Sequence, residues 1–163
     1  MHFTLNSPVR MFFSFAVATA ALAIMQPSAA IAGALDRYVN SGDDRLVIRG
    51  FDATAYARRG RAQRGSQAHR TEWKGATWWF ASSTARRTFE ANPTRFAPQF
   101  GAYCTGGLSQ RHVIAGNPQN WRRYKGRVYL FYSQAGARRF DKDPAGTLAR
   151  AKAYWSTLNV KRR

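Results

Sequence analysis

The sequence predicts an α+β fold: a small domain of two hairpin–helix units plus a C-terminal helix. Three observations predict it. First, "KGATWWFASSTARRTFEANP" (74–93) and "KGRVYLFYSQAGARRFDKDP" (125–144) repeat at an offset of 51 residues without a gap. Lys74/Lys125, Gly75/Gly126, Phe80/Phe131, Ser82/Ser133, Arg87/Arg138, Phe89/Phe140 and Pro93/Pro144 recur in register. Second, each copy passes from a Lys-Gly turn through strand formers to a serine and a helical stretch closed by proline. Third, "PAGTLARAKAYWSTL" (144–158) places Leu148, Ala151 and Trp155 on one helical face.

The elements follow in chain order. Arg10 precedes "MFFSFAVATAALAIM" (11–25), a run without charge, and Pro27 and "AIA" (30–32) follow. That order is the pattern of a Sec-type export signal, with cleavage expected after Ala32 and a periplasmic or secreted product. An uncleaved N-terminal anchor is the alternative. Residues 33–49 read as a lead-in and 50–158 as the domain, with internal copies over about 50–100 and 101–151. Upstream of the hairpins the matches thin to Gly50/Gly101 and Thr54/Thr105. "RRGRAQRGSQAHR" (58–70) reads as an exposed basic loop. "EWKGATWWF" and "RRYKGRVYLFY" read as hairpins, with Ser82 or Ser83 and then Ser133 capping the helices that follow. Ala81, Ala85 and Phe89 fall on one face of the first of these. Asn92-Pro93 and Asp143-Pro144 end the helices, because the residue before proline is driven from helical geometry. A short basic tail, 159–163, closes the chain.

Composition narrows the chemistry. The formal net charge is +18, carried by 21 Arg and 5 Lys against 8 carboxylates. Such a charge attracts anionic polymers or lipid headgroups, and Arg58, Arg59, Arg61, Arg64 and Arg70 are its densest cluster. The alternative is an arginine-rich composition spread over a solvated surface. Export argues against a specific nucleic-acid role. The only cysteine, Cys104, excludes an internal disulfide, so its thiol is buried, dimerising or a ligand. His69 and His112 are the only imidazoles beyond the export segment. HExxH, CxxC, Walker and GxSxG motifs are all absent, which points to a binder ahead of an enzyme. The aromatic residues Trp73, Trp78, Trp79, Trp121, Tyr129, Phe131 and Trp155 read as core.

"GFDATAYARRG" followed by "SQAHRTEWKGATWWFASSTARRTFEANPTRFAPQFGAYCTGGLSQRH" resembles the YHS domain, and more closely the exported single-domain YHS proteins of bacteria. The resemblance covers about 50–158. It implies a treble-clef-like module whose relatives attached to copper pumps are suspected metal binders. The cysteines of those relatives fall here on Ala55, Ala81 and Ala85, so their thiol site does not carry over. Asp52, Trp78, Trp79, Ser82, Tyr103 and Ser109 match family-motif positions, and His69 matches the family histidine. "GAYCTGGLSQRH" (101–112) resembles the exported subgroup's own motif, with Gly106 where an aromatic is usual.

A thiol and an imidazole together suit Cu(I) or Zn(II). The first expectation is therefore a binding or accessory module for a copper or zinc ion, or another small ligand, through Cys104, His112 and His69. The second is a cationic surface-interaction protein without metal. The third is a thiol-dependent enzyme acting through Cys104.

Overall fold

The computed structural model describes residues 46–158. The expected export segment, residues 33–45 of the lead-in and the basic tail lie outside the described residues. The chain folds as a mixed α+β domain with two antiparallel hairpins and six helices among the described residues. Helix α1 (Ala53–Arg59) precedes strands β1 (Ser66–Trp73) and β2 (Ala76–Phe80). Helices α2 (Ser83–Ala91) and α3 (Pro93–Phe96) complete the first half. The second half runs through α4 (Thr105–Ser109), β3 (Asn117–Tyr124), β4 (Arg127–Phe131), α5 (Gln134–Lys142) and α6 (Pro144–Thr157).

The repeated sequence gives repeated structure. In each hairpin two residues with positive φ make the turn: Lys74 and Gly75 at 50° and 68°, Lys125 and Gly126 at 46° and 74°. That is the twist a two-residue hairpin needs. Both ladders are irregular at the same place, between Ser66 and Arg70 and between Asn117 and Trp121. Ser82 Oγ accepts the Ala85 N–H and Ser133 Oγ accepts the Gly136 N–H, so each serine caps its helix. Phe80 stacks on Phe89 at 5.0 Å, and Phe131 on Phe140 at 5.1 Å. The prolines do more than stop helices. Asn92 and Asp143 cap new ones, so Pro93 opens the single turn of α3 and Pro144 opens α6.

Upstream of the hairpins the equivalence shifts to an offset of 52. The Gly65 N–H bonds Gly50 O, and the Gly116 N–H bonds Ala102 O. Gly50 is therefore matched by Ala102 rather than Gly101. The connection from Asp52 to Gln63 is one residue longer than that from Cys104 to Ile114, although the same main-chain bond closes both, at 2.8 Å. Before each connection the chain makes a left-handed turn: Ile48, Arg49 and Gly50 in one half, Phe100, Gly101 and Ala102 in the other, all at positive φ. The lead-in is thus partly core. Val47 and Ile48 are fully buried, and Leu46 bridges Thr77 of β2.

Strand β4 joins the halves. Its alternate side chains go opposite ways, as pleating requires. Val128 and Leu130 pack with Tyr56, Trp78, Phe80 and Phe89 of the first half. Tyr129 and Phe131 pack with Cys104, Ala137 and Phe140 of the second. Each half thus lacks a closed core alone. The Tyr56 hydroxyl donates to Pro118 O at 2.9 Å and its ring meets Trp121 at 5.3 Å, fixing α1 to the second hairpin. Helix α6 lays Ala151 over Tyr103 and Leu108.

Candidate functional site

Two side chains organise the loops where chemistry was expected. Asp52 is 2% exposed and caps α1. Its Oδ1 accepts the Thr54 N–H at 2.8 Å and the Thr54 hydroxyl at 2.7 Å. Its Oδ2 accepts the Ala81 N–H at 3.0 Å, tying α1 to the chain entering α2. Cys104 is 4% exposed and caps α4. Its Sγ accepts the Gly107 N–H and the Tyr132 N–H, both at 3.2 Å. Ala81 and Tyr132 are equivalent in the two hairpin–helix units, so the carboxylate and the sulfur do one job twice. Burial raises the pKa of the Tyr56 phenol, and the nearby charge of Asp52 adds to it.

The expected Cys/His group is spread out. Gly107 links Cys104 and His112 through its main chain: its N–H meets the sulfur and its carbonyl accepts the His112 N–H at 2.9 Å. His112 itself is exposed, and His69 is half-buried on β1 of the other half. Among the described residues no group of three or more His, Cys, Asp or Glu could hold a metal ion. Ser109 Oγ donates to Gly106 O at 2.8 Å, and Tyr103 packs against Trp155 at 5.7 Å. Trp78 is fully buried and bonds Trp73 O through its indole N–H. Trp79, on the opposite face of β2, is half-buried.

A cleft opens between α1 and the start of α2, with a volume of about 370 Å³. Asp52, Thr54, Arg58, Arg59, Ser82 and Thr84 line it, together with Ala81 and Ala85. The sequence singled out six of these residues for different reasons: Asp52, Ser82, Ala81 and Ala85 through the family resemblance, and Arg58 and Arg59 as charge in a basic loop. Only folding makes them neighbours. Ala55, the third alanine of that group, is buried in α1.

The basic segment 58–70 is not one loop. Arg58 and Arg59 end α1, Arg61 and Arg64 follow it, and Arg70 stands on β1 opposite Trp79. Arg64 lies over the Phe51 ring at 4.5 Å and donates to Arg49 O. Sequence reading missed two further arginines. Arg123 donates to Ala57 O at 3.0 Å, beside Arg58, and Arg127 donates to Thr94 O at 2.9 Å. Arg58 donates to the Thr88 hydroxyl at 2.9 Å. All three guanidinium groups are thus fixed by neutral acceptors on the helices of the first half. The ion pairs of the described residues lie elsewhere: Arg86 with Glu90, Arg122 with Asp141 and Arg150 with Asp143.

No family model, curated protein or solved structure matches the chain.

Proposed function

We propose that this chain is a cationic binding domain that docks onto an anionic polymer such as a polyphosphate or a sulfated polysaccharide. One observation carries the reading. Arg58, Arg123 and Arg127 are held by hydroxyl and carbonyl oxygens, and no carboxylate among the described residues forms an ion pair with them. A guanidinium fixed in this way loses little side-chain freedom on meeting an anion and keeps further N–H donors for it. The net charge of +18 adds long-range attraction. The reading extends to location: residues 1–32 serve export, and the partner is then met outside the cytoplasm. It also treats the two hairpin–helix units as a diverged, treble-clef-like YHS module in which Ala81 and Ala85 replace ligand thiols.

The expected copper or zinc site through Cys104, His112 and His69 draws its support from family resemblance. The sulfur already accepts two main-chain N–H groups out of solvent, so the arginines are the stronger basis. Anaerobic Cu(I) and Zn(II) titration of the wild type beside Cys104→Ala and His112→Ala tests that alternative directly.

The test of the main reading is binding of the chain to immobilised polyphosphate and to heparin across a salt series. Affinity should fall steeply with salt, because binding releases counterions and salt screens the attraction. The triple variant Arg58→Gln, Arg123→Gln, Arg127→Gln should lower affinity at least tenfold and flatten the salt slope. A triple change at Arg138, Arg139 and Lys152 should do less. Equal losses from both would mean diffuse charge and would overturn the reading. Binding confined to anionic lipid vesicles would replace the polymer with a membrane surface.

A further inference from the structure

The cleft between α1 and α2 shares Arg58 with the docking surface and adds features that Arg123 and Arg127 lack. Its floor is a carboxylate almost out of solvent. Asp52 Oδ1 is saturated by two donors, whereas among the described residues Oδ2 accepts only the Ala81 N–H. A carboxylate oxygen has room for two donors, so Oδ2 retains one open position. The other wall is cationic. Arg58 reaches across to Thr88 on α2, and no acceptor among the described residues engages the Arg59 guanidinium. Asp52 caps α1 while Arg58 and Arg59 end it, so their backbone positions stand roughly 9 Å apart along this helix at 1.5 Å per residue, and all three side chains line the same cleft.

We infer that the cleft is a binding site for a small organic anion that carries a hydroxyl or ammonium group. Its anionic end meets Arg59 and Arg58, and its donor fills the open position on Asp52 Oδ2. Each part of the ligand answers one part of the wall. An anion without a donor leaves the Asp52 lone pair unmatched and faces its charge across the cleft. A neutral alcohol leaves the arginines unused. The volume of about 370 Å³ is that of about a dozen water molecules, at the lower end for ligand pockets. Ala81 and Ala85 contribute to the space, since larger side chains at either position would occupy it.

The test uses three related probes on the ¹⁵N-labelled chain: lactate, acetate and propane-1,2-diol. Lactate carries both groups, and each of the others carries one. Lactate should shift the amides of Thr54, Arg59, Ser82 and Ala85 saturably, with acetate about tenfold weaker and the diol without effect. Arg59→Gln should weaken lactate binding about tenfold, and Arg139→Gln on α5 should leave it unchanged. Ala85→Leu should abolish it by filling the cleft while the remaining spectrum stays folded. Equal binding of lactate and acetate would remove Asp52 from recognition. The absence of a saturable shift at millimolar lactate, or equal loss in Arg139→Gln, would overturn the site. Polyphosphate binding is measured separately, so either result leaves the docking surface to be judged by itself.

Discussion

Asp52 and Cys104 are counterparts: each is nearly buried, each caps the first helix of its half, and each accepts an N–H from the residue that follows its second strand. For Asp52 that residue is Ala81, and for Cys104 it is Tyr132. The same knot is tied once with a carboxylate and once with sulfur. The sole thiol of the chain therefore has a structural task before any other.

The two knots should differ in strength. Asp52→Ala orphans the Ala81 and Thr54 N–H groups and the Thr54 hydroxyl, and should cost about 3 kcal/mol. Cys104→Ala orphans two N–H groups from a weaker acceptor and should cost about 1–2 kcal/mol. Urea unfolding of both variants checks the order. A larger loss for Cys104→Ala would show that sulfur packing outweighs the cap.

Thr105 predicts a harmless substitution. It is fully buried, and its hydroxyl has no hydrogen-bond partner among the described residues. Thr105→Val removes a desolvated polar group and keeps the shape, so stability should be unchanged or rise by up to about 1 kcal/mol. Thermal unfolding reads this directly. A loss beyond that size would mean that the hydroxyl is satisfied in solution.

Gly65 tests the close approach of the first connection to β2. A Cβ there would lie 2.5 Å from the Trp79 carbonyl carbon and 2.6 Å from its oxygen. Backbone cannot yield as a side-chain tip can, so Gly65→Ala should cost about 3 kcal/mol or more. Gly75→Ala has open space and suffers only its positive φ, about 1 kcal/mol. Comparable unfolding midpoints for the two variants would contradict this contact.

Stability should decline at both ends of the pH range. Hydrogen bonding to Arg122 holds the Asp141 carboxyl below its usual range, and the Gly146 N–H and Arg150 do the same for Asp143. A carboxylate with a depressed folded pKa contributes stability above its unfolded value of about 4 and loses it as pH falls further. Both groups are largely exposed, so Asp141→Asn and Asp143→Asn should flatten the acid limb only slightly. The Tyr56 phenol is shifted upward, so its contribution is complete below about pH 10 and is lost as pH rises above that. Tyr56→Phe should reduce the alkaline loss. Melting temperatures from pH 3 to pH 11 supply the comparison.

Much of this architecture was legible in the sequence because it is written locally. The Lys-Gly turns, the β-prone runs, Ser82 and Ser133 as caps and the Asx-Pro boundaries each act over a few residues, and the 51-residue repeat doubled every signal. Val47 and Ile48 were hidden because the left-handed turn from Ile48 to Gly50 carries no composition signal. The single-residue difference between the two connections disguised Asp52 and Cys104 as unrelated positions.

By itself, then, the sequence determined two hairpin–helix units, a closing helix, a single cysteine and an excess of arginine. Tertiary structure alone decided which residues meet. Pleating sends alternate side chains of β4 into different halves, which makes one domain from two repeats. Packing of α1 on α2 brings Asp52, Arg58, Arg59 and Ser82 around one cleft. The same packing sets Arg123 and Arg127 against carbonyls more than thirty residues away. Such contacts depend on how faces pack across the chain, and no local pattern of residue types records them.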